Sequence, residues 1–146
     1  MNPNATRRHS ALAVALYEFL NPIPLGFFTA AWIFDIIYLN SPHPMWTKSA
    51  SWLIAFGLII AIIPRLINLV QVWVGVSWPQ TSPVKIHFWA NLLAIVLASF
   101  NAFVHSRDAY AVAPAGVILS TLVVALLCLA NIQLALRLRS AEGVAR

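Results

Sequence analysis

Acidic residues are nearly missing from this chain, which holds four Asp and Glu against nine Lys and Arg in 146 residues. Charged side chains make up 9% of it, roughly a third of the share in a soluble domain. That scarcity excludes paired-carboxylate hydrolysis, because Asp35 is the one acid set well inside an apolar run. The chain also lacks a glycine-rich phosphate loop, an HExxH pair and a GxSxG elbow, so phosphoryl transfer, zinc proteolysis and serine hydrolysis have no recognisable footing. Cysteine is reduced to Cys128, inside an apolar stretch; neither an intrachain disulfide nor a cysteine metal cluster is available.

What fills the chain instead is apolar: 61% of its residues are hydrophobic, more than a soluble core of this size can cover. A bilayer accepts such segments, since a helix of about 20 apolar residues crosses the hydrocarbon and satisfies its own backbone hydrogen bonds. The sequence therefore predicts an all-α, integral membrane four-helix bundle with a short N-terminal interfacial helix. The formal charge of +5 comes from basic residues scattered at segment ends, not from a stripe. This argues for membrane topology and against nucleic acid.

Segmentation follows the prolines and polar loops. Residues 1–21 read as a basic N-terminal segment with Arg7 and Arg8, followed by a helix over Ser10 to Leu20 that either lies in the interface or completes the first crossing. No small-residue cleavage site follows, so it reads as retained. Residues 22–139 read as the transmembrane domain, with helices at about 22–40, 49–74, 87–105 and 112–136, and residues 140–146 as a basic cytoplasmic tail. Pro22 and Pro24 break the first crossing, Pro64 sits inside the second, and Thr47 or Ser49 is expected to cap it. With both termini inside, Arg7, Arg8, Lys85, Arg137, Arg139 and Arg146 lie on the inner side and Lys48 and Arg107 on the outer. The inner excess predicts an N-in, C-in, multi-pass protein of a bacterial cytoplasmic membrane.

Polar residues within the spans are the candidate working groups, since each costs a few kcal/mol on insertion scales. By depth they fall into two sets. Asp35, His43, Asn101 and His105 belong to the outer half, whereas Arg65, Asn68, His87 and Asn91 belong to the inner half, with the more distant His9 and Asn131. Asp35 and Arg65 are too far apart in depth to pair. At about 100° per residue, His87, Asn91, Ala94, Ala98, Asn101 and His105 share one face of the third helix, which should look into the bundle. Histidines at both depths suggest a b-type haem, with His105 and His43 as metal ligands in the outer half and His87 and His9 in the inner half. Asn91 and Arg65 would line such a cofactor site.

The stretches IPLGFFTAAWIFD (Ile23 to Asp35), GLIIAIIPRLIN (Gly57 to Asn68) and HFWAN (His87 to Asn91), with Arg107 beyond them, resemble a bacterial membrane family known as domain of unknown function 2231. The family pattern starts Phe-Pro-Ile-Gly, runs to an Asp, continues through Pro-Gly-Leu-Ile-Asp and His-x-x-x-Asn, and ends near an Arg. The resemblance implies a four-helix membrane domain that some relatives join to redox or cytochrome c modules. This chain departs from it at Leu20, Asn21 and Pro22, where the family has histidines, and at Asn68, where it has Asp. The expected function is a small membrane subunit of a redox system, haem-bearing or quinone-facing, that anchors or feeds a larger partner. A cofactor-free structural subunit and a small-solute or ion permease are the alternatives. Its partners would be the lipid bilayer and other membrane or redox subunits.

Overall fold

The computed structural model describes residues 15, 19–73, 82–107 and 111–144, with the side chains of 67–73, 82–85, 138 and 141 excepted. Four helices follow in order: α1 (Ile23–Asn40), α2 (Pro44–Trp73), α3 (Ser82–His105) and α4 (Ala115–Val144). All four are long and apolar enough to cross a membrane, over Ile23–Asn40, Pro44–Leu66, Ile86–His105 and Ala115–Val144. The interfacial helix expected over Ser10 to Leu20 falls almost wholly outside the described residues, as does His9.

Helix starts are set by proline more often than the sequence reading allowed. Pro22 precedes α1, with φ −79° and ψ −20°, and Pro24 sits in its first turn, where a missing N–H costs nothing. α2 begins at Pro44, five residues before the expected start. The imidazole of His43 does the capping there, its Nδ1 accepting the Met45 N–H at 3.2 Å. Thr47 does not cap; its hydroxyl donates to the Pro44 carbonyl at 3.0 Å. α3 likewise starts at Ser82, with Pro83 in its first turn, and not near His87. At the far end α4 continues to Val144, so most of the segment read as a tail is helix.

Each helix packs on two neighbours: α1 on α2 and α4, and α3 on α2 and α4, with α2 and α3 meeting least closely. α1 and α3 thus stand on one diagonal of the bundle, and α2 and α4 on the other. The core is built from Phe28, Ala31, Ala50, Ile54, Ala94, Ala98, Val123 and Leu127. The outside carries the larger apolar side chains, among them Trp52, Ile59, Trp89, Phe100, Phe103 and Leu129. Small residues inside and large apolar ones outside suit helices solvated by lipid tails, where close backbone approach stabilises association. Gly57 shows the tightness: a Cβ there would lie 2.9 Å from Cε1 of Phe28.

Hydroxyls within the spans are mostly satisfied by their own helix. Thr29 donates to Leu25 O, Ser99 to Ile95 O and Thr121 to Val117 O, at 2.7, 2.8 and 2.7 Å. These bonds to the preceding turn remove the cost of a bare hydroxyl in hydrocarbon. Trp32 Nε1 donates to Thr121 Oγ1 at 2.9 Å, a bond that crosses between helices and ties α1 to α4.

Candidate functional site

The third-helix face expected from periodicity does look inward: Asn91, Ala94, Ala98, Asn101 and His105 are buried, and His87 is half-buried. Its two ends differ in what they meet. In the half of the bundle where α1 and α3 end, Asp35 of α1 and His105 of α3 reach across the bundle diagonal, with Nε2 of His105 2.7 Å from Oδ1 of Asp35. Ser120 of α4 donates its hydroxyl to Oδ2 of the same carboxylate at 2.5 Å. Asn101 in turn donates from Nδ2 to Ser120 Oγ at 2.7 Å. The four side chains are closed off: Asp35 is 1% exposed, Asn101 2%, Ser120 3% and His105 7%.

Hydrogen-bond inventory restricts the protons in this network. His105 Nδ1 lies 2.9 Å from the carbonyl of Asn101, one turn earlier on its own helix. A carbonyl only accepts, so Nδ1 carries a proton. Nε2 faces a carboxyl oxygen, and one further proton must lie between them, on the imidazole or on the acid. In either placement the pair is neutral as a whole, which lowers the cost of burying it in a low-dielectric interior. Ser120 spends its one O–H on Asp35, so it accepts from Asn101 and fixes that amide's orientation. Asn101 Oδ1 is left buried without a donor.

The backbone makes room for the imidazole at Gly116, in the first turn of α4. A Cβ at this position would fall 3.0 Å from Cε1 of His105 and 2.6 Å from Cγ1 of Val112. The start of α4 therefore approaches His105 more closely than any other residue would allow. The sequence reading assigned neither Ser120 nor Gly116 to the site. Neither carries a motif, and only the crossing of helices shows what they touch.

The opposite half is built differently. Nε2 of His87 and Oδ1 of Asn131 are 3.4 Å apart, a long contact, and Asn91 donates from Nδ2 to the His87 backbone carbonyl at 2.7 Å. Beside them lies a small open cleft reached by all four helices, with Pro24, Phe28, Pro64, Arg65, Asn91 and Asn131 in its wall. Arg65 is half-buried, and its Nε is enclosed without an acceptor. Asn68 lies on α2, but its side chain is outside the described residues. Between the two halves, Phe28, Ile54, Ala98 and Val123 pack beneath Asn101 and Ser120 and leave no room for a water molecule. Phe28 borders both regions.

The described residues do not fit the haem pairing expected from the sequence. An axial imidazole needs a free ring nitrogen, and both nitrogens of His105 are engaged. His43 is an exposed capping residue at the start of α2. His87 and His105 are eighteen residues apart on one helix, about 27 Å at 1.5 Å per residue, so they cannot share a metal. Among the described residues no three His, Cys, Asp or Glu come together as metal ligands.

Residues 18–141 match the family model described as a predicted membrane protein, DUF2231. No curated protein and no solved structure matches the chain. The match runs through all four helices, and the chain belongs to this family of multi-pass membrane proteins.

Proposed function

We propose that this chain is a small accessory subunit of a membrane redox system in the bacterial cytoplasmic membrane, oriented N-in and C-in, whose working group is a proton held between Asp35 and His105. The observation that carries the reading is the imidazole with both nitrogens engaged, one by a backbone carbonyl and one by a carboxyl oxygen. That arrangement stores one proton in a neutral, water-free pair close to the outer end of α1. A subunit placed beside an electron carrier could compensate the carrier's charge from such a pair, with no haem of its own. The basic residues counted on the inner side support the orientation.

A permease reading has less support. The plug of Phe28, Ile54, Ala98 and Val123 separates the two polar regions, and a solute path would have to open it. Uptake into proteoliposomes that disappears in Asp35→Asn would reverse this ranking.

The test is infrared and ¹⁵N-histidine spectroscopy on the full chain in nanodiscs, joined to optical spectra of the complex isolated from native membranes. The expected result is an imidazole signal with both nitrogens protonated or sharing protons that collapses in Asp35→Asn. A redox-active partner should travel with the wild-type chain. An imidazole spectrum unaltered by Asp35→Asn would overturn the proton assignment, and isolation without any redox centre would overturn the subunit assignment.

A further inference from the structure

The inner cleft holds an uncompensated cation. Arg65 lies eight residues before the end of α2 at Trp73, with its Nε enclosed and unbonded. The chain has only four acids, and none in the described residues answers it. Asp35 is committed to His105 and Ser120. Glu142 is eleven residues beyond Asn131 on α4, about 16 Å further along the helix. Asp108 follows the opposite end of α3 in sequence, and Glu18 stands outside the described residues.

The lining defines the missing partner. Asn131 offers its amide N–H groups, because its Oδ1 already faces His87. Asn21 adds a second amide at the same end. Leu25, Phe28, Ile95 and Leu127 supply an apolar wall beside these donors. A guanidinium fork flanked by amide donors suits a planar or tetrahedral oxyanion, and the apolar wall suits a ligand that carries hydrocarbon. A neutral carbonyl ligand would leave the charge uncompensated. Asn131 is exposed, so the cleft is open to its surroundings.

We propose that this cleft is a binding site for an anionic phospholipid of the inner leaflet, with Arg65 holding the headgroup phosphate and Asn131 bonding a second oxygen. Basic pockets between helices at the cytoplasmic face are a recurrent setting for such headgroups. The site is separate from the Asp35–His105 pair and does not depend on that pair's role.

Native mass spectrometry of the full chain in neutral detergent tests it, with phosphatidylglycerol, phosphatidylcholine and inorganic phosphate titrated separately. Phosphatidylglycerol should bind saturably and phosphatidylcholine at least about tenfold more weakly. Arg65→Gln should weaken phosphatidylglycerol binding by about tenfold or more, the usual worth of a charge-assisted hydrogen bond. Asn131→Leu should weaken it less, and a retained helical circular dichroism spectrum shows that each variant is folded. Glu18→Gln should leave binding unchanged. Equal binding of the two lipids, full binding by Arg65→Gln, or occupancy by inorganic phosphate in preference to lipid would each overturn the proposal. So would binding that emerges only in Glu18→Gln, since Glu18 would then be the counter-charge.

Discussion

The two ends of the bundle use similar residue types to opposite effect. In the half around Asp35, an acid, an imidazole, an amide and a hydroxyl from three helices form a dry chain of bonds between 2.5 and 2.9 Å. In the other half, three amides and a guanidinium border an open cleft, and among the described residues the side-chain bond between helices there, from His87 to Asn131, is 3.4 Å long. The difference lies in complementarity. Asp35 gives His105 an opposite partner, and Ser120 relays the bond to a third helix. Arg65 has no such partner among the described residues. The closed end is therefore the one that specifies how the helices register, and the open end is the one free to receive a ligand.

Removing one member of the closed network should produce the largest effect. Asp35→Leu leaves His105 and Ser120 facing hydrocarbon, and reversible unfolding in bicelles should show a loss of about 3–5 kcal/mol. The double variant Asp35→Leu/His105→Leu should lose less than the sum of the singles, because neither then strands the other. Additive losses would show that the two residues do not act as a pair.

Ser120→Ala and Gly116→Ala come next. The first strands one carboxylate oxygen and one amide, and should cost about 1–3 kcal/mol in the same assay. The second pushes a methyl group against His105 and Val112, with a cost of about 1–3 kcal/mol for overpacking. Full stability of Gly116→Ala would mean that α4 can withdraw from the imidazole, and the closed end would be looser than described.

At the open end the effects on stability should be small. His87→Ala should cost about 1 kcal/mol or less, in the range of interhelical hydrogen bonds measured in membranes. A loss as large as that of Asp35→Leu would erase the distinction between the ends. Smallest of all are changes at lipid-facing Leu92 and Val96, both exposed on α3. Their replacement by Ala should leave the melting temperature nearly unchanged, whereas Asn91→Leu, on the buried face, should lower it.

Much of this arrangement was legible without coordinates. Hydropathy marked the four spans, and the 3.6-residue period marked the face of α3 that turns inward, because both are properties of a single helix in lipid. Depth along a span also sorted Asp35, Asn101 and His105 into one half and Arg65, His87 and Asn91 into the other. Helix starts were less legible, since Pro44 and Pro83 read equally as turn residues and as first-turn residues. The expected pairing of His105 with His43 on a haem does not fit for a related reason: a histidine's position does not tell which of its nitrogens is already bonded. Ser120 was hidden by its company, for an isolated hydroxyl in an apolar run usually bonds its own preceding turn, as Thr29 and Ser99 do.

The amino-acid order by itself determined that the chain lies in a membrane, how many times it crosses, and which face of α3 is inside. Those outcomes depend on transfer energies and helical periodicity, which act along each segment alone. Only the tertiary structure decided that Asp35 meets His105 across the diagonal, that Ser120 closes the network, and that Arg65 is left open. Those outcomes depend on the rotation of each helix about its axis, which is set jointly by small residues such as Gly57 and Gly116 and by the need to pair every buried polar group.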